Sequence, residues 1–482
     1  MSLSSAINSA RSGLQVSSQR AETVATNVAN AATPGYVRRS VSVSETIAGQ
    51  QTTGVTSNGI VRAGNEVISG ERRELSSDLS QSNVLSSAWA SLSTSIGDTS
   101  DGAGLFQSIA DFESAITVAA ATPESTSAAA NLLSTATGLT QQLNSLSTVA
   151  IDMRREADRE IATGVETVNT ALRQIQELNS DLAAVNPTSE QASVIRDERG
   201  RVLDQISEYI SIQTYPRESG AIDVLTTEGV YLVAGTARQI EFDPSAVFQP
   251  DQTLAGGQLS GISVEGIDLT PGANSFGAIS SGMFGALFQL RDTDVPQFSA
   301  QLDAVADDLI TRLSDDSIDP TKTPGEYGLF VDPSPLDGVG VAGRIAVNAA
   351  VDPAQGGLLS RLRDGLEATG TGPEGNATIL NAMLNAVTTV GAVSNGSISG
   401  SYSSTELAAH ISSLTGQSRI SHESINSSIQ AQHQALQEAE LSETGVDIDV
   451  QMQDLLLIEQ AYAANARVIE VASQMINRLM EL

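Results

Sequence analysis

The sequence predicts a mainly α-helical protein with one β-rich insertion, and three observations lead to this fold class. Apolar or small residues recur at alternating steps of four and three near both ends of the 482-residue chain, which is the spacing of a coiled-coil seam. Helical patterns with few strong breakers fill most of the interior. Only the stretch 212–282 changes to short β-branched runs separated by turn residues.

The N-terminal seam ends at a stiff turn. Its members are Leu3, Ile7, Ala10, Leu14, Ser17, Ala21, Val24 and Val28. Asn30 can close the predicted helix, and Pro34 disfavours helical backbone at the preceding Thr33. Pro34 and Gly35 suit the two central positions of a type II turn, and Tyr36 follows as a single aromatic residue. The sequence therefore predicts one long helix that ends at Asn30 and is followed by a type II turn.

A second seam has the same spacing at the C-terminal end. Its members are Ile448, Met452, Leu455, Tyr462, Ala466, Ile469, Ile476 and Met480. Asp447 and Asp449 stand at the start of this helix, predicted over 447–482, where the helix dipole favours acidic residues. Neither seam has enough large apolar side chains to hold a helix in isolation, so we expect each helix to order only as it packs.

Two arrangements of these end helices remain open. They can pack on each other within one chain, or they can pack on helices of other subunits. We favour contacts between subunits, with or without the pairing within the chain.

The interior is predicted to begin with a strand at 37–43, which opens a hairpin segment that reaches 64. Helices are then predicted at 66–96, 105–121, 123–184, 189–211, 283–313, 377–390 and 403–440. Thr122 is the expected N-cap of the longest of these helices, with Pro123 in its first turn. Short strands are predicted at 222–225, 230–233, 240–242, 262–269, 328–331 and 344–348.

These elements divide the chain into three parts. The predicted parts are a terminal domain of 1–70 with 440–482, a helical bundle of 71–211 with 283–439, and a small β-rich domain of 212–282. Aromatic residues make up only 4% of the chain, so we expect helices packed by small aliphatic side chains.

Composition excludes several classes of function. The net charge of −32 argues against nucleic acid and anionic membranes as partners, and no window approaches the roughly 20 apolar residues of a membrane helix. The chain has no cysteine, which excludes disulfides and thiol chemistry. The first residues lack the pattern of a cleaved signal peptide, so any export is expected to use another signal. Residues 1–73 run against the overall charge, with seven arginines and four glutamates.

The residues that could carry chemistry do not form a reaction centre. His422 and His433 share a helix face but lie three turns, about 16 Å, apart, too far to share one metal ion. Asp447 and Asp449 begin like a calcium loop that lacks its glycine and its last glutamate. The glycine-rich loop 365–375 lacks the Gly-Lys-Ser/Thr ending of a phosphate-binding loop. We expect no enzyme, no cofactor, and no catalytic or metal-binding residue.

The run 27–38, Asn-Val-Ala-Asn-Ala-Ala-Thr-Pro-Gly-Tyr-Val-Arg, resembles the A-N-x-x-T-P-G-Y signature of the bacterial flagellar axial proteins, which are the rod, hook and hook-associated proteins. Residues 446–482 are similar to the C-terminal helix of the same family. The interior segments 112–125, 194–199, 285–292 and 345–348 resemble the hook-associated members that join hook to filament.

This resemblance implies a non-enzymatic structural protein that self-assembles at the distal end of the hook. The terminal domain would form the inner tube of a homo-oligomeric ring or tube, and the β-rich domain would face outward. The implied partners are the hook protein, a second hook–filament junction protein, and an export chaperone on the C-terminal helix. The implied location is extracellular, reached through the flagellar export apparatus without a cleaved signal peptide.

The residues expected to mediate assembly lie in the two seams and in the turn. They are Leu3, Ile7, Leu14, Val24, Val28, Asn30, Thr33, Pro34, Gly35, Tyr36, Leu455, Tyr462, Ile469 and Ile476. Two alternatives remain. The chain could be a flagellar hook or distal-rod protein, which would share the N-terminal signature. It could also belong to another class, as a secreted hydrolase on the same scaffold.

Overall fold

The computed structural model describes residues 3–48, 51–97, 102–273, 275–334, 338–395 and 398–480. The helices are α1 (Leu3–Ala29), α2 (Glu66–Ile96), α3 (Leu105–Ala121), α4 (Thr126–Ala184), α5 (Glu190–Tyr209), α6 (Gly282–Gln289), α7 (Val295–Leu313), α8 (Arg361–Asp364), α9 (Thr378–Thr388), α10 (Ser404–Thr444) and α11 (Ile448–Met480). A π-helical turn, Leu290–Asp294, joins α6 to α7. No helix in the described part of the chain has an apolar stretch that could cross a membrane.

The strands are short and antiparallel. They are β1 (Arg39–Ala48), β2 (Gln51–Arg62), β3 (Ile212–Pro216), β4 (Ile222–Thr226), β5 (Tyr231–Ala234), β6 (Thr236–Ala237), β7 (Ile240–Glu241), β8 (Ser263–Val264), β9 (Ile267–Asp268), β10 (Phe330–Val331), β11 (Ala346–Val347), β12 (Gly391–Asn395) and β13 (Ile398–Tyr402). The insertion holds two sheets, in the orders β3-β4-β5-β6 and β7-β8-β9. The prediction of a mainly α fold with a β-rich insertion is confirmed. The proposed domain limits stay a prediction.

One predicted helix start is wrong. Helix α4 begins at Thr126, and its N-cap is Ser125, whose hydroxyl accepts from the backbone N–H of Ala128. Thr122 belongs instead to the end of α3, because its backbone N–H and its hydroxyl both donate to the carbonyl of Val118. A threonine that bonds back into the preceding helix is not free to cap the next one.

Strands β3 and β6 and the hairpin β12–β13 are not among the strands predicted from the sequence. Strand β3 directly follows α5, where the helical pattern continued to 211, and the hairpin β12–β13 fills 391–402. The sequences of this hairpin are rich in Gly, Ser and Ala, which have low strand propensity. Tertiary contacts support it instead, since Arg312 donates to the backbone carbonyls of Tyr402 and Ala386.

The long helix α4 spans two hydrophobic cores. Its 59 residues extend for about 88 Å at 1.5 Å per residue. The N-terminal half packs in one core with α3, α7, α9 and the start of α10, and the C-terminal half packs in a second core with α5, α6 and the β insertion. Leu132, Leu139 and Leu146 line the first core at heptad spacing, and Ile161, Val168 and Ile175 line the second.

A buried ion pair stands between the two cores. The guanidinium of Arg291, on the π-helical turn, lies 2.6 Å from the carboxylate of Asp158 on α4, and both side chains are almost fully buried. Arg291 also stacks over the ring of Phe288 at 4.6 Å. The second carboxylate oxygen of Asp158 accepts from the backbone N–H of Ser245, so the pair attaches the β insertion to the helices.

We expect Arg291→Met to lower the free energy of unfolding by about 3–5 kcal/mol, because it leaves the buried carboxylate of Asp158 without its counter-charge. The matched control is Arg155→Met, which removes an exposed arginine from an i,i+3 pair with Asp152 and should cost less than about 1 kcal/mol. Urea denaturation measures both. Equal effects of the two substitutions would contradict a structural role for the buried pair.

Candidate assembly surface at the joined chain ends

The two end helices pack on each other within one chain. Helices α1 and α11 run antiparallel, since Asn27 contacts Gln451 at one end and Gly13 faces Asn465 farther along. A Cβ at Gly13 would lie 2.7 Å from the side-chain nitrogen of Asn465, so the helices approach closely because that position is glycine. Of the two arrangements left open by the sequence, pairing within the chain is therefore present.

Only one row of the N-terminal seam is filled by this pairing. Ala10, Ser17 and Val24 are buried. The remaining members are half-buried, and they are Leu3, Ile7, Leu14, Ala21 and Val28. Five of the eight members of the predicted seam thus keep part of their apolar surface exposed.

The buried residues of helix α11 are not the residues of the seam that the sequence predicts. Its buried residues are Gln451, Ile458 and Ala472, at multiples of seven. Of the predicted seam, Leu455, Ala466 and Ile469 are half-buried, and the exposed members are Ile448, Met452, Tyr462, Ile476 and Met480. The hydrogen bond of Gln451 and the contact at Asn465 set the rotation of α11. The predicted seam remains a prediction for contacts between subunits.

A second apolar stripe lies on the exposed side of α11. We call it the outer stripe, and it consists of Val450, Leu457, Val468, Val471, Met475 and Leu479. Leu457 and Leu479 are 63% and 68% exposed. At 3.6 residues per turn this stripe lies about a quarter turn from the row of Ile458. Exposed apolar patches of this extent mark interaction surfaces.

Asn27 joins the two chain ends, and the sequence analysis did not single it out. Its carbonyl oxygen accepts from the hydroxyl of Tyr36 at 2.8 Å and from the backbone N–H of Arg39 at 3.0 Å. Its amide nitrogen donates to the carbonyl of Arg39 and to the side chain of Gln451, both at 2.8 Å. Asn27 is 1% exposed, and all four of its hydrogen-bonding positions are used. The available signal in the sequence was a polar residue, Asn27, placed between the apolar seam residues Val24 and Val28 at the start of the signature run.

The turn after α1 has the predicted geometry. The backbone N–H of Tyr36 donates to the carbonyl of Thr33 at 3.1 Å, and Gly35 has φ +75°, as the third residue of a type II turn requires. The side chain of Asn30 donates to the carbonyl of Thr26 and closes the helix. Thr33, Pro34 and Gly35 are exposed. The type II turn is confirmed.

Tyr36 is held at the exit of this turn. Its ring lies under the guanidinium of Arg39, 4.7 Å from the ring centroid. Burial raises the pKa of the Tyr36 phenol, an effect that the nearby Arg39 opposes. The phenol therefore stays protonated at neutral pH and donates its hydrogen bond to Asn27.

Four arginines of the basic N-terminal region bind two carboxylates on α5. Asp197 accepts from Arg39 at 2.9 Å and from Arg62 at 2.7 Å. Asp204, seven residues on and hence on the same helix face, accepts from Arg72 and Arg73, each at 2.7 Å. We call these six residues the arginine joint. Four of the seven arginines in residues 1–73 thus attach the terminal region to the helical body.

The three histidines have separate neighbours. His433 bonds the hydroxyl of Ser76, with 2.9 Å between Nε2 and Oγ. His422 stacks on Trp89, and His410 stacks on Tyr402. No group of three His, Cys, Asp or Glu residues that could hold a metal occurs among the residues the structure describes. Asp447 caps α11 as predicted, because its carboxylate accepts from the backbone N–H groups of residues 449 and 450.

Three family models match successive parts of this chain. The model of the family "Flagella basal body rod protein" matches residues 7–36, which form α1 and the turn. The model "Flagellar hook-associated protein FlgK helical domain" matches residues 90–316. The model "Flagellar basal body rod FlgEFG protein C-terminal" matches residues 437–482, which include α11. The three models thus match the N-terminal helix and turn, much of the helical body, and the C-terminal helix.

In its two ends and its helical body, the chain is similar to flagellar rod, hook and hook-associated proteins. It is similar to hook-associated protein 1 of Escherichia coli K12, with 23% identity over 310 residues that cover 61% of this chain and 54% of that protein. Hook-associated protein 1 of Bacillus subtilis 168 is 24% identical over 235 residues, 46% of each protein. The chain therefore spans about half the length of the curated relatives it matches.

Among solved structures, the flagellar hook junction protein FlgK of Burkholderia pseudomallei aligns with a TM-score of 0.45. The sequence identity is 20%, and the alignment covers 55% of this chain and 47% of that one.

We expect Asn27→Ala to loosen the junction of α1 and α11, because it leaves the backbone of Arg39 and the side chains of Tyr36 and Gln451 without partners. Hydrogen exchange should accelerate at least tenfold in residues 448–460, equivalent to about 1.4 kcal/mol. Asn8→Ala, at an exposed position of the same helix, is the control and should leave that exchange unchanged. Equal exchange in the two variants would show that Asn27 does not hold the ends together.

Two glycine substitutions should have opposite signs. Gly35→Ala forces a side chain into φ +75°, with its Cβ 2.7 Å from Cγ of Arg201, and should destabilise the protein by about 1–3 kcal/mol. Gly70→Ala, inside α2 with no atom near the added Cβ, should stabilise it by about 0.5–1 kcal/mol. Urea denaturation followed by circular dichroism measures both. A neutral Gly35→Ala would remove the steric reason for glycine in this turn.

Proposed function

We propose that this protein is a non-enzymatic structural component of the bacterial flagellum that self-assembles at the distal end of the hook and joins the hook to the filament. The observation that carries the proposal is the combination of a hook-associated helical body with joined end helices whose apolar surface is only partly covered. The relatives are named as flagellar hook-associated proteins, which supports the same role.

Self-assembly follows from the distribution of apolar surface on α11. Its row at Ile458 packs on α1, whereas the outer stripe and the exposed members of the predicted seam have solvent around them. A helix that is apolar on several sides needs more neighbours than one. Different surfaces on one subunit make heterologous contacts, which generate rings or helical tubes of identical subunits. The half-buried row of α1, which includes Leu14 and Val28, would take part in the same contacts.

The remaining partners are proposed on the same basis. The hook protein and a second hook–filament junction protein would contact opposite ends of the ring or tube. An export chaperone would cover the C-terminal helix before assembly, and the exposed apolar residues of α11 support the need for such a cover. The protein would be extracellular and would leave the cell through the flagellar export apparatus without a cleaved signal peptide. The net charge of −32 supports the absence of nucleic acid and membrane among the partners.

One alternative has an observation in its favour. Two of the matching families are rod families, and they match the two ends, so a hook or distal-rod protein would share α1, the turn and α11. The match of the hook-associated helical domain over 90–316 favours the junction protein instead. For a hydrolase on this scaffold, we find no supporting residue cluster within the part of the chain that the structure describes.

Electron microscopy of a deletion strain tests the proposed role. We expect cells that make hooks but no filaments, and the unmodified gene should restore the filaments. Hooks of abnormal length, or no hooks at all, would instead support a hook or rod protein.

The outer stripe provides a sharper test in the same strain. We expect Leu457→Asp to abolish complementation although the purified monomer unfolds like the wild type, because a charge at this exposed position blocks only contacts outside the chain. Ile420→Asp is the matched control: it places the same charge at an equally exposed position of α10 and should complement fully. Normal filaments with Leu457→Asp would exclude the outer stripe from assembly.

A further inference from the structure

Helices α2 and α10 form a second connection between the helical body and the joined chain ends, beside the arginine contacts on α5. We call residues 66–90 of α2 and 416–444 of α10 the neck. The two segments are antiparallel, since Ser69 lies opposite Glu440, Ser76 opposite His433, and Trp89 opposite His422. In α10 no residue between Thr415 and Thr444 is buried.

The two ends of the neck are held by different interactions. At the body end, Leu407 and Ile411 of α10 are fully buried in the first core. At the terminal end the contacts are polar: Glu440 accepts from Ser69 and from Arg72, and His433 bonds Ser76. A contact that consists of hydrogen bonds and ion pairs opens more easily than a packed core, and it responds to changes of charge.

His433 lies at a cleft of about 200 Å³ that is lined by arginines and carboxylates. The charged and titratable groups around the cleft, from the turn, β2, α2, α5 and α10, are Tyr36, Arg62, Arg72, Arg73, Asp197, Arg201, Asp204, His433 and Glu440. Four arginines thus face three carboxylates, and each of these carboxylates already accepts from an arginine. The remaining arginine, Arg201, pairs with Glu198. A proton on His433 would therefore add a positive charge beside Arg72, in a cleft whose other charges are already paired.

We propose that the neck is a pH-responsive joint, in which protonation of His433 opens the terminal end of the α2–α10 pair while the body end stays closed. Opening would separate the last turns of α10 from α2, while Arg39 and Arg62 still hold β1 and β2 on Asp197 of α5. The proposal rests on the geometry of the neck and does not depend on the flagellar role.

The direction of the pH response follows from the surroundings of His433. Burial, and then the charge of Arg72, lower the pKa of His433 below its ordinary value of 6.5. The open joint therefore takes up the proton more readily than the closed one. The contribution of His433 to closure is present above about pH 6.5 and is lost as the pH falls below it.

Hydrogen exchange of the full-length monomer at pH 7.5 and 5.0, corrected for intrinsic rates, tests this proposal. We expect the protection of residues 426–444 to fall about tenfold at pH 5.0, whereas residues 404–415 keep theirs. His433→Gln retains a hydrogen-bonding group but cannot titrate, and it should abolish the response. His422→Gln, the matched control, should keep it. An unchanged wild type, or the same response in His433→Gln, would overturn the proposal.

Distance measurements give an independent readout. The chain has no cysteine, so two introduced cysteines can carry spin labels at chosen positions. Labels at Glu71→Cys and Ala439→Cys, both exposed, report the terminal end, and labels at Ser91→Cys and Ile420→Cys report the body end. We expect the first distance distribution to broaden at pH 5.0 and the second to stay unchanged. Broadening of both pairs, or of neither, would contradict a joint that opens at one end.

Discussion

The four hydrogen bonds of Asn27 are the interaction on which the arrangement of the chain ends depends. They connect α1, the turn that follows it, the first residue of β1 and the N-terminal part of α11. A buried amide with four partners tolerates little displacement, because each lost bond leaves a polar group without water. The rotation of α11 follows from this requirement, and with it the choice of which apolar residues face α1 and which face outward.

Contacts within the chain also explain the uneven distribution of charge. The first 73 residues are basic in a strongly acidic protein, which from the sequence could suggest a surface for an acidic partner. The structure places four of these arginines on Asp197 and Asp204 of α5. The local excess of positive charge is therefore used within the chain to attach the end helices to the body. The contacts left for assembly are mainly apolar.

Stability is distributed unevenly along the molecule. The helical body has two continuous hydrophobic cores and a fully buried ion pair between Arg291 and Asp158. The neck has serine, histidine and glutamate contacts at its terminal end, and the buried residues of α11 are Gln451, Ile458 and Ala472. Such a gradient, from a rigid body to weakly held ends, suits the proposed assembly, in which the ends gain contacts from neighbouring subunits. It also explains why a single titrating side chain can matter in the neck.

The sequence by itself determined most of the helices, the hairpin after the turn and the type II turn, because local signals specify them. Ser189 and Ser403 cap their helices, glycines interrupt the pattern between α2 and α3, and Pro34-Gly35 sets the turn. Only the tertiary structure decided the role of Asn27, the destination of the arginines and the rotation of α11. A helix with apolar residues on several sides satisfies a heptad pattern in more than one register, and contacts far away in the chain, at Gly13 and Asn27, select one of them. The hairpin β12–β13 likewise depends on distant contacts, such as the bond from Arg312 to the carbonyl of Tyr402, because its glycine and alanine residues have low strand propensity.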